Sequence, residues 1–203
     1  MAASVAVEMG DMWVSGASDE RLTASGMGAC VGLCLYDPTV SLGAMAHIVL
    51  PETPNPLPLF RGQPLALRPG KCADTAVAFL LAEIVERGAR VRHLRAAMAG
   101  GAHIFSHSSL SHSHPAHQAP AQPSLSRLEI GPRNAEAVRE ALRREGIPLV
   151  MEDVGGTFGR TVALCIRTGD FWVQRIGGAE QKLATLGLGC VAAPAVREAA
   201  YGR

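Results

Sequence analysis

Two kinds of hydrophobic pattern alternate along this chain. Short apolar runs, the pattern of β-strands, occupy residues 4–15, 29–37 and 42–51. The segment 93–105 predicts a strand, a glycine turn and a second strand, and the segment 147–176 predicts a strand, a Gly-Gly turn and a hairpin. Two longer segments instead place their apolar residues at helical spacing. The alternation predicts a mixed α/β domain in which helices cover a sheet.

The two helical segments lie at 71–89 and 130–146. Gly88 and Gly146 predict where each helix ends, and Pro132 suits the first position of the second helix. The residues predicted to face the core are Ala76, Phe79, Leu80 and Ile84 in the first helix and Ala135, Val138, Ala141 and Leu142 in the second.

The apolar runs 29–37 and 42–51 are separated by the turn residues "PTVS" and predict a β-hairpin. This hairpin carries Cys30, directly after the glycine-rich turn "GMGA", and His47 on the second strand. An imidazole beside a thiol can accept its proton and stabilise the thiolate, and a glycine-rich turn can direct the amides of Gly28, Ala29 and Cys30 at an oxyanion. These groups predict an acyl-transfer site, although a buried structural cysteine is the alternative on spacing alone.

Composition narrows the class of protein. The chain has 203 residues, enough for one domain, with 48% hydrophobic residues and 19 basic against 18 acidic side chains. This balance argues against a nucleic acid or an anionic membrane as partner. Because the chain shows neither a signal peptide nor a membrane-spanning run, we expect a cytoplasmic protein without membrane insertion. Five cysteines without a CxxC pair suit a reducing compartment, and Cys34 and Cys165 are predicted core residues.

One segment cannot contribute to a core. Residues 106–126 are rich in serine, histidine and proline, and we interpret them as a low-complexity insert in a single domain spanning 1–180. Residues 181–203 are predicted to form a mobile C-terminal extension. No metal site is expected in the insert, because cysteine and carboxylate ligands are missing around its histidines, His107, His112, His114 and His117.

The stretch "GMGACVGLCLYDPTVSLGAMAHIVLP" resembles the signature of the bacterial chemoreceptor glutamine deamidases, the CheD family. The segments "KCADTAV", "GGAHIF", "IGPRNAEAV" and "EDVGGTFGR" resemble later blocks of that family in the same order, so the resemblance covers roughly residues 4–176. It implies layered mixed β-sheets with a sandwich-like core, flanked by helices, of the cysteine-hydrolase type.

The resemblance also implies an activity. Such an enzyme is a protein-glutamine glutaminase, an amidohydrolase that converts glutamine side chains of methyl-accepting chemotaxis receptors into glutamate during adaptation. Cys30 would be the nucleophile that forms a thioester and His47 the acid and base, with methylesterase activity as a side reaction and no metal or organic cofactor. The implied partners are the cytoplasmic domains of the receptors and a CheC-type phosphatase.

The chain departs from the family pattern near the nucleophile. The family has a threonine six residues before the cysteine, where this chain has Ala24. Thr23 and Ser25 flank that position, and either is a candidate for the missing orienting hydroxyl. Two alternatives to the deamidase stay open: an adaptor that binds and stimulates a CheC-type phosphatase with little or no catalysis, and a cysteine hydrolase acting on another amide.

Overall fold

Two five-stranded β-sheets stack face to face, and two helices cover the outer face of one of them. The computed structural model describes residues 3–55, 57, 59–60, 63–64, 66–103 and 130–187. In chain order the elements are β1 (Ala3–Ala6), β2 (Met12–Ser15), β3 (Glu20–Met27), β4 (Val31–Asp37), β5 (Leu42–Ile48), β6 (Leu59–Phe60), β7 (Gln63–Pro64), α1 (Ala73–Glu86), a 3₁₀ turn (Val91–His93), β8 (Arg95–Gly100), α2 (Ile130–Arg144), β9 (Leu149–Val154), β10 (Arg160–Cys165), β11 (Asp170–Arg175) and β12 (Glu180–Thr185).

Ten of the described strands form two mixed sheets, and β6 and β7 form a separate antiparallel pair. Sheet A has the order β1-β3-β10-β11-β12, and sheet B has the order β2-β5-β4-β8-β9. The pairs β1–β3 and β8–β9 are parallel, and the other pairs within these two sheets are antiparallel. This architecture confirms the layered mixed sheets flanked by helices that the resemblance implies.

Sheet B separates two hydrophobic clusters, because its central strands are buried on both faces. On one face Leu33 and Ala46 pack with residues of α1 and α2. On the other face Cys34 and Met45 pack with residues of sheet A, such as Val162. A strand buried on both faces reads as a continuous apolar run, which is why the central hairpin stands out in the sequence.

The N-terminal run 4–15 was predicted as one strand, and this prediction is wrong. A turn at residues 9–10 divides it into β1 and β2, and the two halves join different sheets. Strand β3 was not predicted. Its sequence "ERLTASGM" has only a short period-2 stretch, in which Leu22 and Ala24 alternate with polar residues, and its extended conformation depends on pairing with β1 and with the distant β10.

Both predicted helices are present, but individual residues within them are placed differently from the prediction. Phe79 was predicted to face the core but is 50% exposed, and Val77 is buried in its place. Pro132 is the third residue of α2 rather than the first, which is tolerated because the first turn needs no intrahelical donor. The run 93–105 gives a single described strand, β8.

The C-terminal part of sheet A extends beyond the expected domain boundary. Strand β12 begins at Glu180 and pairs with β11 as far as Thr185, whose hydroxyl donates a hydrogen bond to Asp170. The insert 106–126 with its histidines, and residues 188–203, lie outside the described residues.

None of the described helices is long and apolar enough to cross a membrane.

Candidate active site

Cys30 lies at the end of the glycine-rich turn, directly before β4, and its side chain is half-buried against the cluster between the two sheets. The turn is held from the side of β8. Gly101 N–H donates to Cys30 O and Ala102 N–H donates to Gly28 O, each at 2.8 Å. Only glycine fits at position 100, because a Cβ there would lie 2.1 Å from Cys30 O.

His47 lies on β5, 2% exposed, with its backbone paired to Gly32 of β4. Its Nδ1 lies 3.3 Å from the carbonyl oxygen of Val7. A carbonyl can only accept, so Nδ1 carries the proton and Nε2 of the neutral ring is the free base. Nε2 is buried and has no hydrogen-bond partner within the described parts of the chain. The imidazole is therefore held in the tautomer that general-base catalysis requires.

The register of the hairpin brings Cys30 and His47 to the same face of sheet B. Gly32 stands opposite His47, and Cys30 precedes Gly32 by two residues, which makes Cys30 and His47 diagonal neighbours. Diagonal pairs lie about 7–8 Å apart at Cα, within reach of an imidazole. The thiol and Nε2 do not hydrogen-bond in this conformation. A change of the Cys30 rotamer would be needed to close this gap, and such contacts often form only with substrate bound.

Burial affects both groups. It raises the pKa of the Cys30 thiol and lowers the pKa of His47, although the hydrogen bond to Val7 partly opposes the shift of the histidine. At neutral pH both groups are therefore uncharged. The arrangement fits a neutral thiol whose proton moves to the imidazole during attack, rather than a preformed ion pair.

The turn offers two unused backbone donors. Gly28 N–H already donates to Gly26 O at 2.7 Å, so this predicted oxyanion donor is occupied. The amides of Ala29 and Cys30 have no acceptor in the described regions of the chain. Backbone amides beside a thiol are the kind of donor that an oxyanion hole uses.

The two flanking hydroxyls point elsewhere. Thr23 Oγ1 lies 3.3 Å from Ser4 Oγ on the exposed side of sheet A, and Ser25 is exposed. Ala24, between them, is fully buried in the cluster against which Cys30 packs. An orienting role for Thr23 or Ser25 stays a prediction, and the described geometry brings neither to His47. The carbonyl of Val7 holds the imidazole instead, and Val7 N–H is itself bonded to Thr23 O at 2.8 Å.

The other cysteines occupy different environments. Cys34 is fully buried as predicted, and burial raises its pKa far above the usual range. Cys165 is only half-buried at the end of β10, so its predicted core position is wrong. In the described residues no group of three or more histidine, cysteine or acidic side chains is arranged to hold a metal ion.

Sequence reasoning missed two groups at this site. Val7 acts through its backbone carbonyl, which every residue has, so nothing in the sequence could single it out. Asn134, on α2, is fully buried and donates from Nδ2 to Ala29 O at 2.8 Å and to Val49 O at 3.0 Å. A signal for Asn134 did exist, since it is a polar residue at helical spacing with the buried stripe Ala135, Val138, Ala141 and Leu142.

A surface depression of about 240 Å³ touches the glycine-rich turn at Gly26, and its lining includes neither Cys30 nor His47. It begins at Gly26 and runs over the ends of β10 and β11. Its wall includes Arg160, which is 2% exposed and bound to Asp153, and its rim includes Ile176, which is 81% exposed. The remaining lining residues are Thr161, Gln174, Arg175 and Gly177.

The family model described as "CheD chemotactic sensory transduction" matches residues 56–175. The chain is 43% identical over 178 residues to the probable chemoreceptor glutamine deamidase CheD of Symbiobacterium thermophilum, covering 88% of this chain and 96% of that protein. This chain belongs to the CheD family. It is also 38% identical over 156 residues to the chemoreceptor glutamine deamidase CheD of Thermotoga maritima, covering 77% of this chain and 82% of the relative.

The solved structures that match this chain include a distant one. The crystal structure of Bacillus licheniformis hypothetical protein YfiH has a TM-score of 0.40 and 17% identity, and the match covers 70% of this chain and 49% of the other.

Proposed function

We propose that this protein deamidates glutamine side chains of chemotaxis receptors, with Cys30 as the nucleophile and a thioester as the intermediate. The observation that carries the proposal is the state of His47: its Nδ1 is bonded to Val7 O, while Nε2 is buried, unpartnered within the described chain and on the same face as Cys30. The names of the relatives in the CheD family supply the substrate class.

Acylation uses the groups already described. Nε2 of His47 takes the thiol proton as Cys30 Sγ attacks the side-chain amide carbon of the glutamine. The amide oxygen becomes an oxyanion and accepts hydrogen bonds from the amides of Ala29 and Cys30. His47 then gives its proton to the leaving nitrogen, and ammonia departs as the thioester forms.

Deacylation reverses these roles. His47 removes a proton from water, which attacks the thioester carbon, and the same two amides hold the second oxyanion. Collapse releases the glutamate side chain and returns the proton to the thiol. A glutamyl methyl ester gives the same thioester with methanol as leaving group, so methylesterase activity follows from the same site.

The His47 imidazole can be oriented without the threonine that the family has at the position of Ala24. In this chain the Val7 carbonyl takes the orienting position on Nδ1, and it can also stabilise the imidazolium that forms during attack. A carbonyl carries no formal charge but accepts a hydrogen bond from Nδ1–H, which is the role required of an orienting group. The substitution at Ala24 is therefore compatible with turnover.

The test is mass spectrometry of a purified receptor cytoplasmic fragment after incubation with the protein. We expect amide-to-acid conversion at single glutamines with the wild type and none with Cys30→Ala. A matched control is Cys34→Ala, which removes a thiol four residues later in the chain, on β4, and should leave conversion intact.

Three other outcomes would overturn the proposal. Conversion that survives in Cys30→Ala would exclude the cysteine mechanism. No conversion by any variant would favour the adaptor alternative, and binding to a CheC-type phosphatase would then be measured by calorimetry. Conversion of other proteins but not of receptor fragments would indicate a hydrolase with a different substrate.

A further inference from the structure

Three consecutive carbonyls of the turn are held by hydrogen bonds. Ala102 N–H donates to Gly28 O and Gly101 N–H donates to Cys30 O. The carbonyl between them, Ala29 O, receives its hydrogen bond from a side chain, the Nδ2 group of Asn134, at 2.8 Å. Asn134 is the side chain on which the direction of the Ala29–Cys30 peptide depends.

The direction of a carbonyl fixes the direction of the next amide. In a planar trans peptide the C=O of one residue and the N–H of the next point in opposite directions. Asn134 lies in the helical layer and draws Ala29 O towards it, so Cys30 N–H points away from the helices. The side chains of Cys30 and His47 lie on that same side of sheet B.

The second hydrogen bond of Asn134 links the two halves of the site. Its other Nδ2 proton goes to Val49 O at 3.0 Å, two residues after His47 on the same chain segment. The orientation of the side-chain amide is settled by its partners, because the opposite orientation would place Oδ1 against two carbonyl oxygens. One side chain thus bridges the residue before the nucleophile and the segment that follows the base.

We propose that Asn134 is a positioning residue that sets the oxyanion-binding direction of the Cys30 amide and fixes the nucleophile turn against the strand of His47. This inference rests on the proposed function. Asn134 does not touch the substrate and acts through the peptide that it holds. If Asn134 only stabilised the core, its amide could bond any buried acceptors. It would not need to bond one carbonyl beside Cys30 and another on the segment that follows His47.

The decisive variants are Asn134→Ala, which removes both donors, and Asn134→Asp, which keeps the shape and places oxygen where the donors were. Because displacing a catalytic group by about 1 Å can cost a hundredfold, we expect kcat for receptor deamidation to fall about 10- to 100-fold while KM changes less than about twofold. Alkylation of Cys30 by iodoacetamide needs no oxyanion hole, and its rate should stay within about twofold of wild type.

The matched control is Asp37→Asn, which disturbs a fully buried polar side chain at the far end of β4. It should lower the thermal unfolding midpoint as the Asn134 variants do, but leave kcat unchanged. An unchanged kcat in Asn134→Ala would overturn the inference. The inference would also be overturned if Asp37→Asn lowered kcat by the same factor, or if the rate of Cys30 alkylation fell together with kcat.

Failure of the inference can be separated from failure of the proposed function. Hydrolysis of p-nitrophenyl acetate requires the thiol and the oxyanion hole but no receptor, so a loss of this activity in the Asn134 variants supports the inference even if no receptor is modified. If neither variant folds or the ester is not hydrolysed, the inference is tested by a crystal structure of the wild type alkylated at Cys30 with iodoacetamide. The adduct oxygen should accept from Cys30 N–H, and an adduct oxygen bound elsewhere would exclude the role.

Discussion

Buried polar groups lie at both ends of strand β4, and the two ends differ in whether these groups have hydrogen-bond partners. At the far end, Asp37 is fully buried and each of its oxygens is bonded: Thr39 donates twice to Oδ1, and Arg90 N–H donates to Oδ2. Burial opposes ionisation of Asp37, but these hydrogen bonds outweigh it and hold its pKa below the usual value. The Asp37 end is a fully satisfied structural cap.

At the Cys30 end the carbonyls are equally well bonded, and other polar groups are left without partners. Within the described residues, the buried side-chain atoms that lack a hydrogen bond are His47 Nε2 and Asn134 Oδ1. The amides of Ala29 and Cys30 also lack an acceptor in the described structure. Each unsatisfied buried group costs stability, about 1–3 kcal/mol.

We infer from this difference that the Asp37 end serves stability and that the Cys30 end serves the proposed chemistry. Carbonyls are held on both ends, because they define the backbone path. In the part of the chain that the structure describes, the unpartnered Nε2 of His47 and the amides of Ala29 and Cys30 lie together at the Cys30 end. The following predictions test whether these free groups have a catalytic role or are merely defects in packing.

The largest effect is expected at the thiol itself. Cys30→Ala should lower the deamidation rate by roughly four orders of magnitude or more, because the covalent pathway is lost. Cys34→Ala, four residues later in the chain, on β4, should retain nearly full kcat because the Cys34 thiol is fully buried and its pKa is raised far above the usual range. The measurement is receptor deamidation by quantitative mass spectrometry. Equal losses in the two variants would mean that Cys30 is a packing residue.

The next effect concerns the base. His47→Gln should lower kcat by about 10²- to 10⁴-fold, the usual range for a general acid–base group. Because burial lowers the pKa of His47 below its ordinary 6.5, the neutral base persists to lower pH, and kcat/KM of the wild type should decline only below that value. The variant should lack this acid limb. A wild-type profile that declines already above pH 6.5 would contradict the assignment.

How much of this site could be predicted depended on the range of the interactions. The hairpin of β4 and β5 was predicted because its pairing is local, and it brought Cys30 and His47 together on one face. The orienting carbonyl of Val7 could not be predicted, since it depends on the parallel pairing of β1 with β3. Strand β3 itself was missed for the same reason, because its partners are remote in the sequence.

Asn134 is a different case. A polar residue in a buried helical stripe was visible in the sequence, and buried polar groups are usually bonded. What the sequence could not supply was the identity of the acceptors, which lie on two segments about a hundred residues earlier in the chain. A sequence pattern can therefore nominate such a residue, but only the tertiary structure assigns its role.

A smaller effect is expected from restoring the missing hydroxyl. Ala24→Thr would introduce a hydroxyl into the cluster against which Cys30 packs. If that hydroxyl bonds the imidazole, one hydrogen bond of about 0.5–1.5 kcal/mol should raise kcat roughly 2- to 10-fold.

The companion variant for this test is Thr23→Val, which removes the hydroxyl on the exposed side of sheet A. We expect it to leave kcat unchanged. A large loss in Thr23→Val would instead support an orienting role for Thr23 and require β3 to shift its register during catalysis. Steady-state deamidation by both variants distinguishes these outcomes.

The smallest effect on activity is expected at the satisfied end of β4. Asp37→Asn should lower the free energy of unfolding by about 1–3 kcal/mol, since at least one donor loses its acceptor, while kcat stays within about twofold. Because the folded-state pKa of Asp37 lies below the ordinary 3.8, its stabilising contribution is present above that pH and is lost as the pH falls below it. Urea unfolding at neutral pH and near pH 3 should therefore show a larger difference between wild type and variant at neutral pH. A loss of kcat in Asp37→Asn as large as that at Asn134 would mean that the two ends of β4 are not functionally separate.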